Sequence, residues 1–184
     1  KNIPVGAGLG GGSADSAAVL RYFKENYKIK IPKNEIITQI GADVPVCLSD
    51  KFQRVKGVGE VTEEISENDY ELWLVLVNPR INVSTGKIFQ SLKEIKNNGL
   101  ESFGNIKTSK DFIEYLLRQR NDLQSVACER YPEINLVLRE ILDTKNNLLA
   151  RMSGSGSTCF GLYLTSDDAL SAQEKLENKF KGWW

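Results

Sequence analysis

The most informative absence in this chain of 184 residues is histidine, which does not occur at all. Without histidine there is no Ser-His-Asp triad and no imidazole acid or base. Most zinc sites are excluded as well, because Cys47, Cys128 and Cys159 are scattered without a metal-ligand spacing. A proton-transfer role in this sequence therefore falls most naturally to an aspartate.

Long apolar runs and an excess of charge of either sign are also missing. The longest apolar run, Leu72–Val77, has the length of a buried strand rather than the roughly 18–20 residues that span a bilayer. Lys and Arg together number 24, as do Asp and Glu, so neither nucleic acid nor a membrane is indicated as a partner. The odd number of scattered cysteines favours a reducing compartment, so we expect a cytoplasmic protein. The sequence leaves its oligomeric state open.

What stands out instead is a run with five glycines in seven positions, Gly6–Gly12. No Cβ hinders the backbone N–H groups from surrounding an anion there, and positive φ angles cost little. Ser13 is predicted to cap a helix that runs to about Asn26 and adds its own unsatisfied N–H groups. The run predicts a phosphate-binding loop without the lysine of the Walker pattern. A glycine-rich turn that only lets a helix approach its neighbours is the alternative.

Asp43 is the first candidate for a catalytic group, within the turn Gly41–Pro45. The small residues before it leave it sterically open, while Val44 and Pro45 predict apolar and stiff surroundings. A partly desolvated carboxylate beside bound phosphates would suit a base that takes a hydroxyl proton. Since an aspartate after a helix-ending glycine is more often a turn residue or a cap, that alternative stays open.

A second small-residue loop, Met152–Thr158, is predicted between two strands. Its amides and hydroxyls could close over a substrate phosphate, and a simple hairpin turn is the alternative. Gly57–Glu60 is predicted to be only a turn. Asn82–Lys87 is polar and begins a predicted helix, so it could contact an anion or merely cap that helix.

Hydrophobic periodicity and turn residues predict an α+β fold with helices on one face of a sheet. The charged segment Glu63–Asp69 is the predicted domain boundary, which divides the chain into residues 1–67 and 68–184. Tyr22 and Phe23 are predicted to point inward from the first helix, and Leu142 to complete an apolar stripe. Helices are predicted at 13–26, 35–40, 84–96, 109–119, 121–129, 132–142 and 166–180, a hairpin at 53–65, and strands at 71–77, 148–152 and 158–164.

The chain opens at Lys1 directly ahead of the glycine run, and its single methionine is Met152. A phosphate-binding loop normally follows a strand. We therefore expect further residues to precede Lys1 in the natural protein.

Three separated motifs resemble those of the GHMP small-molecule kinases, which include galactokinase, homoserine kinase and mevalonate kinase. The motifs are Pro4–Ala18, Gly41–Pro45 and Arg151–Gly161, in the family's order over essentially the whole chain. Asn121-Asp122-Leu123 and the terminal Trp183-Trp184 also resemble the branch that acts on a cytidine-diphosphate-linked methylerythritol. The resemblance implies a two-domain GHMP kinase fold. Its parts would be an incomplete domain like the second domain of ribosomal protein S5 and a ferredoxin-like C-terminal domain.

The resemblance also implies an activity and assigns residues to it. ATP and Mg²⁺ would be the cofactors, and the γ-phosphoryl group would pass to the 2-hydroxyl of the cytidine-diphosphate-linked methylerythritol, in non-mevalonate isoprenoid biosynthesis. Asp43 would be the catalytic base, and Thr85 would lie near the reacting end. Phe89 would meet the cytosine, while Gly154 and Gly156 would line the substrate diphosphate. ATP would be bound by Pro4, Gly6, Ala7, Gly8, Leu9, Gly10, Gly11, Gly12 and Ser13, and Ser13 would also contact the Mg²⁺.

Some catalytic and binding residues of the family have no counterpart in this sequence. The strand pair that carries a catalytic lysine, aromatic contacts to cytosine and part of the adenine pocket would lie upstream of Lys1. We therefore expect this chain alone to bind nucleotide poorly and not to turn over. The alternatives are another GHMP small-molecule kinase and a non-catalytic nucleotide-binding remnant.

Overall fold

A computed structural model describes residues 2–65, 70–93, 97–104 and 106–184. The chain divides into two compact units, a larger one formed by Lys1–Leu9 with Tyr70–Trp184 and a smaller one formed by Gly10–Asp69. The predicted boundary between residues 67 and 68 lies outside the described residues. The N-terminal segment thus belongs to the same unit as the C-terminal half, which no local sequence pattern indicates.

Helices and strands are mixed along the chain without a regular alternation, in agreement with the predicted α+β fold. The helices of the described residues are α1 (Gly11–Tyr27), α2 (Asn34–Ile37), a short 3₁₀ helix (Val46–Leu48), α3 (Thr85–Gln90), α4 (Ser109–Arg118), α5 (Asp122–Arg130), α6 (Pro132–Leu142) and α7 (Ser166–Lys179). The strands are β1 (Gln53–Lys56), β2 (Val61–Glu64), β3 (Trp73–Val77), β4 (Leu149–Met152) and β5 (Cys159–Tyr163). None of these helices is long and apolar enough to cross a membrane.

The larger unit is built on an antiparallel sheet whose described strands have the order β3-β5-β4. Directly paired residues of antiparallel strands project to the same face, so Val77, Cys159 and Met152 share one face of the sheet. Helices α6 and α7 cover this face and form the main core with it. The buried side chains that they contribute include Ile134, Val137, Ile141, Ala169, Ala172 and Leu176. The predicted sandwich with helices on one sheet face is confirmed.

Helix α6 shows how the sequence pattern produces this core. Pro132 stands at its first position, where its fixed φ suits the helix and its missing N–H costs nothing. Ile134 and Ile141 are fully buried. Leu142, predicted on the same stripe, is instead 59% exposed, because it lies about 100° around the helix from Ile141.

The C-terminal residues pack on the larger unit itself. The Trp183 ring stacks on the Phe180 ring with centroids 3.7 Å apart, and Trp183 contacts the main core. Trp184 exchanges two backbone hydrogen bonds with Asn78, of 2.7 and 2.9 Å. Directly opposite residues of antiparallel strands exchange two hydrogen bonds in the same way. Trp184 therefore pairs with the residue that follows strand β3.

The smaller unit has a modest core around Ala17, Ile37 and Val44. Helix α1 begins at Gly11, after Gly10 in the left-handed region, rather than at a Ser13 cap. The prediction that Tyr22 and Phe23 point inward is wrong, since they are 55% and 42% exposed. They lie about 120–140° around the helix from the buried Ala17, so one helix cannot bury both faces against the same neighbour.

The other predicted elements keep their type but change their length. Strands β1 and β2 form the predicted hairpin. Helix α2 ends at Ile37 instead of Ile40, and α3 ends at Gln90. The predicted end of α3 at Lys96 lies outside the described residues.

Candidate functional site

Two glycine-rich motifs that are far apart in the sequence lie against each other in the larger unit. Ser153 Oγ donates a 2.7 Å hydrogen bond to the Gly8 carbonyl, and the Thr158 N–H donates a 3.2 Å bond to the Ala7 carbonyl. A Cβ on Gly8, whose φ is +73°, would lie 2.5 Å from the Ser153 carbonyl oxygen. Only glycine allows this approach. The contact joins the first and third sequence motifs.

The Ser153–Thr158 loop, which joins β4 to β5, is held by backbone and side-chain hydrogen bonds. The Ser153 N–H donates to the Thr158 carbonyl, and the Gly156 N–H donates to the Ser153 carbonyl, both at 2.9 Å. The Asn121 amide donates to the carbonyls of Met152 and Gly154 at 2.8 Å each. Gly154 remains exposed at the tip of the loop, so its backbone is accessible to a ligand.

Asn78 ties the same loop to the segment that leads into α3. This side chain is 1% exposed and donates to Thr158 Oγ1 at 2.9 Å. Its Oδ1 atom accepts a 2.7 Å hydrogen bond from the Arg80 N–H, where Arg80 has a φ of +58°. Ser157 Oγ donates to the Ile81 carbonyl at 3.0 Å. Because each of these hydrogen bonds is buried or part-buried, the loop and the segment before α3 are held in a fixed relative position.

Thr85 and Phe89 lie one turn apart on α3 and therefore on the same helix face. Thr85 Oγ1 and Ser155 Oγ are 2.8 Å apart and share a hydrogen bond. Phe89 is 56% exposed. An exposed ring beside a fixed hydroxyl can stack on a planar ligand while the hydroxyl contacts a polar group.

In the smaller unit, the N-terminus of α1 is formed by the second half of the glycine run. The first helical bond joins the Ala14 N–H to the Gly10 carbonyl at 2.8 Å. The amides of Gly11, Gly12 and Ser13 precede it and have no acceptor within the helix. Apart from its chain neighbours and the backbone of α1, no heavy atom of the described residues lies within 4 Å of the position that a Cβ on Gly12 would take. Amides without an acceptor in the helix and a positive dipole end suit an anion.

Asp43 lies near this helix start, within the same unit. A Cβ placed on Gly10 would be 4.0 Å from Asp43 Oδ2, and one placed on Gly41 would be 3.4 Å from Ser13 Oγ. The predicted apolar neighbours Val44 and Pro45 are buried, but Asp43 itself is exposed. The expectation of a partly desolvated carboxylate is therefore wrong for this structure, because Val44 and Pro45 turn inward and leave the carboxylate in water.

A contact that the sequence did not indicate supports the Asp43 turn. Gly59, in the β1–β2 turn, has a φ of +108°, and a Cβ there would collide with the Ala42 carbonyl. The hairpin turn thus rests directly on the residue before Asp43. Cys47 follows Asp43 by four positions. Burial raises the pKa of the Cys47 thiol, and the Asp43 carboxylate adds to that increase.

Metal ligands are not gathered in the part of the chain that the structure describes. Among those residues there is no group of three or more His, Cys, Asp or Glu side chains that could hold an ion.

Comparison with known families identifies this arrangement. The profile "GHMP kinases N terminal domain" matches residues 1–51, and "GHMP kinases C terminal" matches residues 91–182, half of the chain. The chain belongs to the GHMP kinase family. The resemblance inferred from the three motifs is confirmed.

The relatives of this GHMP kinase chain include enzymes named 4-diphosphocytidyl-2-C-methyl-D-erythritol kinase. The one from Cereibacter sphaeroides is 38% identical, and the alignment covers 100% of this chain and 66% of that protein. The one from Dinoroseobacter shibae is 40% identical and is covered to 63%, again over 100% of this chain. The chain thus spans 66% and 63% of the lengths of these two curated relatives, which is less than two thirds.

Solved structures show the same fold. A crystal structure of 4-(cytidine 5'-diphospho)-2C-methyl-D-erythritol kinase has a TM-score of 0.77 and 29% identity, and covers 100% of this chain and 67% of that chain. Homoserine kinase from Cytophaga hutchinsonii has a TM-score of 0.73 at 18% identity, covering 98% of this chain and 64% of its own, which shows a shared fold alone. The predicted α+β GHMP kinase fold is confirmed.

Sequence reasoning missed three residues that support the candidate segments, each within its own unit. Asn78 and Gly59 gave no motif signal, and Asn121 was noted only as part of the resemblance. A polar residue directly after an apolar strand, as Asn78 follows β3, is a signal that could have been used. The contacts of Gly59 and Asn121 depend on segments distant in sequence and could not be inferred locally.

Proposed function

We propose that this GHMP kinase chain serves the ATP-dependent phosphorylation of the 2-hydroxyl of 4-diphosphocytidyl-2-C-methyl-D-erythritol. The observation that carries the proposal is the contact of Gly8 with the Ser153–Thr158 loop. It brings together two motifs that resemblance assigns to ATP and to the acceptor diphosphate. The names of the relatives, which align with the whole chain, support the choice of acceptor.

ATP is bound by the glycine run in this proposal. Its phosphates lie along Gly8–Ser13, where backbone amides without side chains and the start of α1 supply donors and positive potential. Pro4, Gly6 and Ala7 belong to the same binding segment. The open space at Gly12 supports this assignment, since a phosphate needs the volume that a side chain would fill.

The Ser13 hydroxyl is the group that would contact Mg²⁺. Mg²⁺ prefers oxygen ligands and takes several of them from substrate phosphates and water, so a single protein hydroxyl fits it. Bound there, the ion would supply charge neutralisation at the phosphates.

Asp43 is the proposed base. Its carboxylate lies by the Gly10–Ser13 turn, is accessible to a ligand, and can accept the proton that the attacking hydroxyl loses. Since the protein's contribution to phosphoryl transfer is largely positioning and charge stabilisation, an exposed base remains effective once ligands exclude water.

The acceptor is held by residues of the larger unit. Phe89 stacks on the cytosine with its exposed ring, and Thr85, fixed by Ser155, contacts the end that reacts. The exposed backbone of Gly154 lines the diphosphate, because this residue offers an amide without an obstructing side chain. Gly156 lies beside it in the same loop but is buried, and its N–H already donates to the Ser153 carbonyl, so its part is to shape the loop. The three unpaired cysteines suit the reducing cytoplasm, to which we assign the protein.

An Asp43→Asn substitution tests the base, in the natural protein that carries this chain. We expect the rate of phosphorylation to fall about 10²–10⁴-fold, the range for loss of general base catalysis. ATP binding should change little, because the amide keeps the shape of the carboxylate. The rate is measured with the cytidine-linked acceptor and ATP, and binding by calorimetry.

The matched control is Asp50→Asn, an exposed aspartate of the same unit outside the site, which should keep the parent rate. An Asp43→Asn variant with most of its activity would show that Asp43 is not the base. Turnover with homoserine instead of the cytidine-linked acceptor would contradict the proposed substrate.

A further inference from the structure

The Asn121 side chain joins two elements of the larger unit, and the proposed function leaves it without a role. Its Nδ2 group donates to the carbonyls of Met152 and Gly154, each at 2.8 Å. Its Oδ1 atom accepts from the Leu123 N–H at 3.0 Å and so caps α5. Both N–H donors and the oxygen of the amide are engaged, which fixes its orientation.

Helix α5 holds the start of the Ser153–Thr158 loop at a second point as well. Gln124 Oε1 accepts a 2.9 Å hydrogen bond from the Met152 N–H. Both backbone polar groups of Met152, its N–H and its carbonyl, are therefore bound by side chains of α5 and its cap. This anchoring matters because Gly154 and Gly156 have φ angles of +54° and +89° and could adopt many other conformations.

We infer that Asn121 is a positioning residue that holds the Gly154 backbone in the conformation that binds the acceptor diphosphate. This inference rests on the proposed function for the identity of the ligand. Asn121 acts through the loop and does not itself touch the substrate. Its removal should weaken ligands that carry the diphosphate and spare those that lack it.

The test uses Asn121→Ser in the natural protein that carries this chain, with CDP and cytidine as probes in calorimetry. Serine caps helices as well as asparagine does, so α5 should be retained. Its single short hydroxyl cannot donate to both carbonyls, and it adds no charge. We expect the Kd for CDP to rise at least about tenfold, which corresponds to about 1.4 kcal/mol, and the Kd for cytidine to stay within about twofold.

Two further variants accompany this one. Asn146→Ser is the matched control, because the Asn146 amide donates to Asp168 instead of to the loop, and it should leave both constants unchanged. Asn121→Asp keeps the cap but replaces both donors by an acceptor oxygen, so it should weaken CDP at least as much as Asn121→Ser.

Equal losses of CDP and cytidine, or a loss of CDP no larger than in Asn146→Ser, would overturn the inference. If the parent binds neither probe, the proposed function fails separately, and amide hydrogen exchange decides whether Asn121 anchors the loop. Asn121→Ser should then speed exchange at Gly156 and Thr158 about tenfold and leave Gln124, in α5, unchanged. Unchanged rates at Gly156 and Thr158 would refute the anchoring.

Discussion

Gly8 is a residue whose side-chain size is tightly restricted in this GHMP kinase chain. Its positive φ and its approach to the Ser153 and Gly156 carbonyls both exclude a Cβ. We expect Gly8→Ala to lower the free energy of unfolding by more than about 2 kcal/mol, because strain and a collision add together. Urea unfolding of parent and variant measures this difference.

Gly86→Ala is the matched control for Gly8→Ala. Gly86 lies inside α3, and beyond its chain neighbours and the helix backbone a Cβ there would meet no heavy atom of the described residues within 4 Å. Alanine should stabilise the protein by about 0.5–1 kcal/mol, since it reduces the freedom of the unfolded chain. A Gly8→Ala variant as stable as the parent would contradict the close approach of Gly8 to the Ser153–Thr158 loop.

The Cys159 thiol makes the stability of the larger unit depend on alkaline pH. Burial raises its pKa from the ordinary 9.0 to about 12, and Cys128 adds to this effect. Above pH 9 the unfolded chain loses the proton while the folded chain keeps it. The stabilisation is therefore complete below about pH 9 and is lost as the pH rises through about 12.

This pH dependence is measured as the difference in free energy of unfolding between the parent and Cys159→Ala. We expect the difference to stay constant below pH 9 and to shrink steadily between pH 9 and 12, the range set by the two pKa values. A difference that is unchanged at pH 11 would show that the thiol is not buried.

Among the helices, α4 depends most clearly on its cap. The Asp111 N–H donates to Thr108 Oγ1 at 3.1 Å, and the Thr108 N–H donates to Asp111 Oδ2 at 3.0 Å. Hydrogen bonds with the Thr108 side chain and with the backbone N–H groups of Lys107 and Thr108 lower the pKa of the Asp111 carboxyl. Thr108→Ala should cost about 1 kcal/mol in the free energy of unfolding, whereas Thr108→Ser should keep nearly all of it. Chemical denaturation compares the three proteins, and equal stability of Thr108→Ala and the parent would contradict the cap.

The end of an element could be predicted from the sequence where interactions within one turn determine it. Asn121 and Pro132 begin helices at the expected places, because capping and the proline ring act within one turn. The start of α1 was predicted two residues late. Gly10, in a left-handed conformation, opens that helix without a side-chain cap, and the glycine run gives no local reason to prefer one glycine over another.

At the scale of the whole molecule, the two units differ in the cores that they bury. The main core of the larger unit includes Ile134, Ile141 and Tyr163, whereas that of the smaller unit is formed by Ala17, Ile37 and Val44. Since burial sets the free energy of local opening, we expect amides of α6 and β5 to exchange most slowly and those of α2 much faster. Hydrogen exchange read by mass spectrometry tests this, and equal protection of α2 and α6 would contradict it.

The candidate site was predictable in its residue types and in part of its geometry. The local composition of the glycine run and of the Ser153–Thr158 loop favours anion binding, and that around Asp43 favours a general base. What could not be predicted was the exposure of Asp43, which depends on the direction in which Val44 and Pro45 pack. The same holds for Gly59, whose partner Ala42 is distant in sequence.

The sequence by itself determined the family, the order of the elements and the segments that bind phosphate in the proposed function. These follow from motifs and periodicities that act over a few residues. Only the tertiary structure decided that Ala7 and Gly8 join the C-terminal half, against Ser153, and that Asn121 and Asn78 hold that loop. Such contacts join residues as distant in the sequence as Ala7 and Thr158, so their geometry depends on how the sheet and helices pack rather than on any local preference.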